Sequence, residues 1–338
     1  MRIFMTLLTD SVRLLRARVL FWVTLWISVL AALLYSSIGF DETGYSLAFG
    51  LVHFNDQSVV RGSLGAEILY LKDFSDYFVG IWLSWLAVGL AIFSSASIFP
   101  DFMSEGSIGI PLSKPVSRLT LFLCKYVGSL LFVVLQVTLF CLIVLVAMRV
   151  RIGFWNPSVF WAVPLVTLMY SYIYSVVVLV SVKTRSVLAA VLAGFFVWFL
   201  AFGAHYVEEG FYWATRTQEL SLFTDSGHHP KTDNGHSSAA SSEEDTDWKR
   251  WHDYSEIAVA AMPKTSETTQ LMDRLMTVKG PQMSGSLVAA QTGQYGDLGE
   301  VVKKIKTRHS PFYIIGTSLG FEAVMLALAA WIFCRRDY

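Results

Sequence analysis

Hydrophobic residues in this chain gather into six long runs, at residues 19–40, 77–99, 126–148, 159–182, 186–204 and 312–334, with polar segments between them. Each run matches the roughly 20 residues a helix needs to cross a bilayer core of about 30 Å. Lipid offers no hydrogen-bond partner, so such runs must satisfy their own backbone groups as helices. The pattern predicts an all-α membrane protein with six transmembrane helices. Ahead of the first run, Phe4, Leu7, Leu8, Val12 and Leu15 share one helical face, while Arg2, Asp10, Arg13 and Arg16 lie off it. That pattern predicts an N-terminal amphipathic helix lying in the cytoplasmic interface, the alternative being a simple extension of the first span.

Composition agrees with the pattern: 54% of residues are hydrophobic and 15% charged, a balance that soluble domains of 338 residues rarely show. Formal charge is zero, so no global basic field points to nucleic acid. Local charge does carry information, because lysine and arginine in short loops mark the cytoplasmic side. Arg2, Arg13, Arg16 and Arg18, then Lys114, Arg118 and Lys125, then Lys183 and Arg185, then Arg335 and Arg336 fall on alternate connections. Both termini are therefore expected in the cytoplasm, in a bacterial-type inner (plasma) membrane crossed several times. Arg149 and Arg151 fall on the outer side, against the rule. The first run is longer than a signal-peptide core and no small-residue cleavage pattern follows it, so it reads as an uncleaved span. Cys124, Cys141 and Cys334 lie in or beside apolar runs, which supports neither a disulfide framework nor a thiolate metal site.

The organisation expected is an interfacial helix at 1–18, spans 1–5 over 19–206, an extracytoplasmic insert at 207–310, and the last span with a cytoplasmic tail at 311–338. The loop at 41–76, rich in aspartate and glutamate, belongs outside. Within the insert, about 225–247 lacks the apolar residues that would offset ordering entropy and reads as disordered. Residues 248–276 space their aromatic and aliphatic side chains as helices resting on the membrane surface would, with a break at Pro263. His228, His229, His236 and His252 sit in the insert without the cysteine or tight carboxylate spacing of a metal site, so they read as solvated and no metal is assigned.

Between the second and third runs stands Pro100-Asp101-Phe102-Met103-Ser104-Glu105-Gly106-Ser107-Ile108-Gly109-Ile110-Pro111-Leu112-Ser113-Lys114-Pro115-Val116-Ser117-Arg118, followed by Lys125 and Gly128. Read bare, this is a stiff basic turn between prolines. It closely resembles the cytoplasmic loop of ABC-2 type transporter permeases, in which an acidic residue and a Gly-Thr-Leu stretch lead to a Leu-Ser-(Lys/Arg)-Pro-Val-Ser-Arg segment. Gly109 and Pro111 depart from that pattern. The resemblance implies a cytoplasmic coupling element between helices 2 and 3, in which Asp101, Glu105, Gly106, Ser113, Lys114, Pro115 and Arg118, with Lys183 and Arg185 in the next basic turn, meet an ATPase.

No Gly-x-x-x-x-Gly-Lys-(Ser/Thr) phosphate loop occurs, so the chain supplies no nucleotide chemistry of its own. The resemblance implies separate ABC ATPase subunits that carry ATP and magnesium, a second permease copy or homologue, surrounding lipid, and no cofactor on this chain. Its expected function is export of lipid, drug, peptide or polysaccharide. The alternative is a non-transporting subunit that passes ATP-driven motion to extracytoplasmic proteins through 207–310. An intramembrane enzyme is disfavoured, because neither a His-Glu-x-x-His motif nor paired intramembrane carboxylates occur. Glu322 falls mid-span, where an ionisable group is costly and marks a functional candidate. Ser84, Tyr170, Tyr172 and Tyr174 are its candidate partners, and His205 reads as an interfacial residue.

Overall fold

The computed structural model describes residues 19–42, 44–55, 59–103, 117–225, 262–276 and 308–336. Among them are five helices long and apolar enough to cross a membrane and one shorter apolar helix. Span 1 is Val19–Tyr35, only 17 residues. Span 2 is Gly65–Phe102, span 3 Arg118–Arg151, span 4 Pro157–Thr184, span 5 the apolar part Val187–Glu208 of a longer helix, and span 6 Pro311–Arg335. The expected interfacial helix at 1–18 and the expected disordered stretch at about 225–247 lie outside the described residues, apart from the helical end of span 5's helix at Asp225.

Short polar side chains start these helices where the chain leaves a loop. Ser63, Ser117 and Ser310 accept from the backbone N–H of Ala66, Thr120 and Tyr313, and Asn156 accepts from Ser158. Pro157 and Pro311 follow their caps, where a missing N–H is harmless. Span 4 is the hub. Its most apolar stretch is 78% buried, against 22% for that of span 6, and Tyr170, Tyr172, Ile173 and Tyr174 are fully enclosed.

Spans 4 and 5 approach closely because Gly194 has no side chain: a Cβ there would stand 2.5 Å from Val177 Cγ2. Gly194→Ala is expected to cost about 1–3 kcal/mol by overpacking. Gly203→Ala, which meets nothing within 4 Å, should be neutral or slightly stabilising. Thermal unfolding of both variants in detergent checks this, and equal melting of the two would contradict the packing described.

Two expected boundaries are corrected. The first run does not stay helical to residue 40: the helix ends at Tyr35, and the chain enters a three-stranded antiparallel sheet of β1 (Gly39–Phe40), β2 (Gly44–Leu47) and β3 (Val52–Asn55). Tyr45 opposes Phe54 across β2 and β3 with rings stacked at 4.9 Å, the sort of pair that stabilises a sheet. The 41–76 loop is also shorter than expected, because helix resumes at Leu64 and runs on into span 2. From Phe74 to Ala87 that helix is π-wound, its backbone hydrogen bonds reaching back five residues instead of four, and Ser84 Oγ donates to Val79 O five residues back.

The two arginines that break the basic-side rule act as caps. Arg151 Nε donates to Ser36 O at 3.0 Å and its guanidinium lies 5.4 Å from the Phe49 ring. Arg149 donates to Gly153 O. Helix carboxyl ends attract cations whichever side they face.

Candidate functional site

At the basic end of the bundle the start of span 3 meets the ends of spans 6 and 4. Arg118 Nη1 donates to Cys334 O at 3.1 Å and Arg336 O at 2.7 Å, which are the terminal carbonyls of span 6. Arg336 in turn donates to Val182 O at 2.5 Å, at the end of span 4. Each guanidinium thus closes carbonyls that a helix terminus leaves unpaired, and the planar fork is suited to bridging several acceptors. The result is a relay of two arginines joining three span ends.

Of the residues expected at the coupling element, Asp101 is exposed in the short helix Ile98–Phe102 that closes span 2. Arg118 sits in the relay. Lys183 and Arg185 are exposed at the span 4–5 turn, where Arg185 takes a left-handed conformation (φ 55°) that ends the helix. Glu105, Gly106, Ser113, Lys114 and Pro115 lie outside the described residues. Arg336 was expected only as a mark of the cytoplasmic side and within a family-like ending, and its bond to span 4 is not legible from either. Lys125 is buried, with its ammonium 5.2 Å from the Phe102 ring.

Deeper in the bundle, Glu322 is 8% exposed and both its oxygens are engaged. Tyr126 OH from span 3 donates to Oε1 at 2.7 Å, and Ser171 Oγ from span 4 donates to Oε2 at 2.8 Å. The partners expected from the sequence are thus replaced: Tyr170 and Tyr174 stand one layer out. Tyr174 stacks on Tyr126 at 5.7 Å and on Tyr170 at 5.0 Å, and Tyr170 OH shares a hydrogen with Ser95 Oγ at 2.7 Å. Ser84 bonds within its own π turn. A buried carboxyl needs such donors to offset lost hydration. The polar string crosses from span 6 through spans 3 and 4 to span 2.

A second polar group closes the opposite end. The helix Thr265–Leu275 buries Leu271 and Met272 against the bundle instead of lying on lipid. Glu267 anchors it: Lys264 Nζ is 3.4 Å away, His309 Nδ1 3.1 Å and His205 Nδ1 3.8 Å. Burial opposes the charged form of Glu267, but the His309 hydrogen bond and the nearby Lys264, His309 and His205 outweigh it and hold the carboxyl below its usual value. Arg308 pairs with the buried Glu208, and Arg274 donates to His309 O at 2.7 Å.

Donor atoms of His205, Glu208 and Glu267 lie within 4.8 Å of one another, a spacing a divalent ion could use. Each carboxylate already faces a cation, however, so an entering ion would meet Lys264 and Arg308, and the group is better suited to be an ion-pair clasp. His205, near the end of the apolar part of span 5, faces the insert helix. The His205-x-x-Glu208 spacing, which puts both side chains on one helix face, was the available signal.

The family model described as ABC-2 family transporter protein matches residues 8–338. No curated protein sequence matches the chain.

Proposed function

We infer that this chain, which belongs to the ABC-2 family of transporter proteins, acts as one membrane half of an ATP-driven exporter. Members of the family lack ATPase domains and bind no cofactor, so the energy comes from partner ATPase subunits. In this reading the protein sits in a bacterial-type inner membrane with both termini and the basic end in the cytoplasm, and residues 207–310 face outward. A second permease copy completes the path. Span 6 leaves Gly316, Gly320, Ala323 and Ala327 exposed along one line, which supports close helix packing there.

The observation that carries the reading is the arginine relay. Residues 101–118, with Asp101, Glu105, Gly106, Ser113, Lys114 and Pro115, form the handle that the ATPases press. Arg118 ties the end of that handle to span 6, and Arg336 ties span 6 to span 4, so displacement of one short segment is shared among three spans. Lys183 and Arg185, exposed beside the relay, provide a second contact.

Purification of the tagged chain in mild detergent should bring down a stoichiometric ATPase that hydrolyses ATP. Arg118→Ala and Arg336→Ala should keep that ATPase bound yet lower permease-dependent hydrolysis several-fold. A chain that purifies alone, or relay variants that hydrolyse at the parental rate, would count against the proposal.

A second reading, transmission of force to extracytoplasmic proteins, draws support from the clasp. The Thr265–Leu275 helix rests on spans 2, 4, 5 and 6, so span motion reaches the insert directly. Deleting 225–247 and 248–276 separately distinguishes the roles. Loss of partner capture only with the second deletion, while the ATPase still co-purifies, would favour transmission.

A further inference from the structure

Span 1 is short for a bilayer. From Val19, which follows Arg18, its helix runs 17 residues to Tyr35, a rise of about 26 Å against a hydrocarbon core of about 30 Å. The chain therefore leaves the helix at the edge of the lipid, and it does not move away. The turn between β2 and β3 folds back, Phe49 N donating to Ser37 O at 3.0 Å, so the hairpin tip lies level with the end of the span.

That tip is apolar and uncovered. Phe49 is 68% exposed and Leu51 85%, and all four residues of β3 are exposed. Phe49 also holds a left-handed backbone (φ 59°), which is costly for a bulky side chain and ordinarily falls to glycine or asparagine. The exposed surface continues that of Leu33 and Leu34 on span 1 and of Val146 and Val150 on span 3. Apolar patches of this kind mark a contact with membrane or partner.

Cations flank the patch. Arg61 Nη2 donates to Val150 O at 3.2 Å, which brings it to the last turn of span 3 beside Arg149 and Arg151. Arg149 Nη1 donates to Gly153 O, and Arg151 uses Nε on Ser36 O while its guanidinium lies against the Phe49 ring. Each guanidinium thus gives one nitrogen to a carbonyl, and among the described residues none is paired with a carboxylate. Asp41, whose carbonyl accepts from Arg61 N, has its carboxylate 3.8 Å from His53.

We propose that the β2–β3 hairpin and the Arg151 end of span 3 form a docking surface for anionic phospholipid. Phe49, Leu51 and Val52 enter among the acyl chains, and Arg61 and Arg149 bind the headgroup phosphate. A guanidinium matches phosphate oxygens in pairs, and a headgroup with net negative charge keeps an attraction that a zwitterionic one offsets. The leaflet concerned lies at the end of the bundle opposite the arginine relay, because span 3 starts in the relay and ends here. The proposal rests on the assignment of the spans and does not depend on the exporter reading.

The purified full chain is reconstituted in phosphatidylcholine bilayers. A trace of phosphatidylglycerol or phosphatidylcholine carrying a diazirine near its ester is photolysed, and labelled peptides are identified by mass spectrometry. Phosphatidylglycerol should label 44–55, exceeding phosphatidylcholine by about fivefold or more. Arg61→Gln and Arg149→Gln should each lower that labelling by about fivefold. Both side chains are exposed, and unchanged labelling of the exposed Leu192 and Phe196 on span 5 verifies that the variants are folded and embedded.

An unlabelled hairpin, as a second copy seated on it or projection into water would give, overturns the proposal. So does equal labelling by the two lipids, or labelling unchanged in both variants. None of these outcomes bears on ATPase co-purification, so failure here and failure of the exporter reading are separable.

Discussion

Glu267→Ala is expected to release the Thr265–Leu275 helix from the bundle at a cost of about 3 kcal/mol, the range for removing one partner of a buried ion pair. The variant strands Lys264, whose side chain is 2% exposed, with the Tyr313 ring 4.8 Å from its ammonium as the compensation left among the described residues. Hydrogen exchange across 265–275 and the melting midpoint read the effect. Exchange and melting unchanged from the parent would show that Leu271 and Met272 hold the helix alone.

The pH dependence has a definite sign. Because the folded carboxyl titrates below its usual value, its stabilisation is complete above the unfolded value of about 4.3 and is lost as pH falls through the lower folded one. The gap between the parent and Glu267→Gln should therefore be full at neutral pH and shrink only in acid below about pH 4.

Glu322→Leu should cost about 2–3 kcal/mol, while Glu322→Gln should cost under about 1 kcal/mol. The loss is bounded because the stranded hydroxyls have other acceptors: Tyr126 OH reaches Ser171 O at 3.3 Å, and Ser171 Oγ reaches Leu168 O at 2.8 Å. Glutamine keeps an acceptor for Tyr126 and can donate to the serine, which a hydroxyl accepts as readily as it gives. Melting in detergent should rank parent, glutamine and leucine in that order. If the glutamine variant melts no higher than the leucine one, Glu322 acts through its charge and not through these two hydrogen bonds.

The spans were readable because twenty apolar residues in a row have one solution in lipid. Their ends were less so: span 3 continues to Arg118 and Arg151, beyond the expected 126–148, since a capped helix extends past the hydrocarbon core. The 39–55 sheet escaped notice because each strand has four residues or fewer, too short for alternation to stand out, and its acidic turn resembled an ordinary loop. Glu322 announced itself by charge alone, but Tyr126 and Ser171 lie 196 and 151 residues away in sequence, and only the packing of three helices brings them together. The clasp is similar. Glu208, Glu267, Arg308 and His309 each look like ordinary insert charges, and burial gives them their meaning.

The π winding of span 2 has a mechanical corollary. A helix whose hydrogen bonds span five residues is wider and shorter than the same residues wound as an α-helix, so moving those bonds from the fifth residue to the fourth lengthens the segment and turns one half against the other. Span 2 is in that sense a screw, with the exposed Asp101 near one end and Ser75 and Asp76 near the other. Tension along its axis would emerge as torque, turning the end that carries Asp76 against the end that carries Asp101.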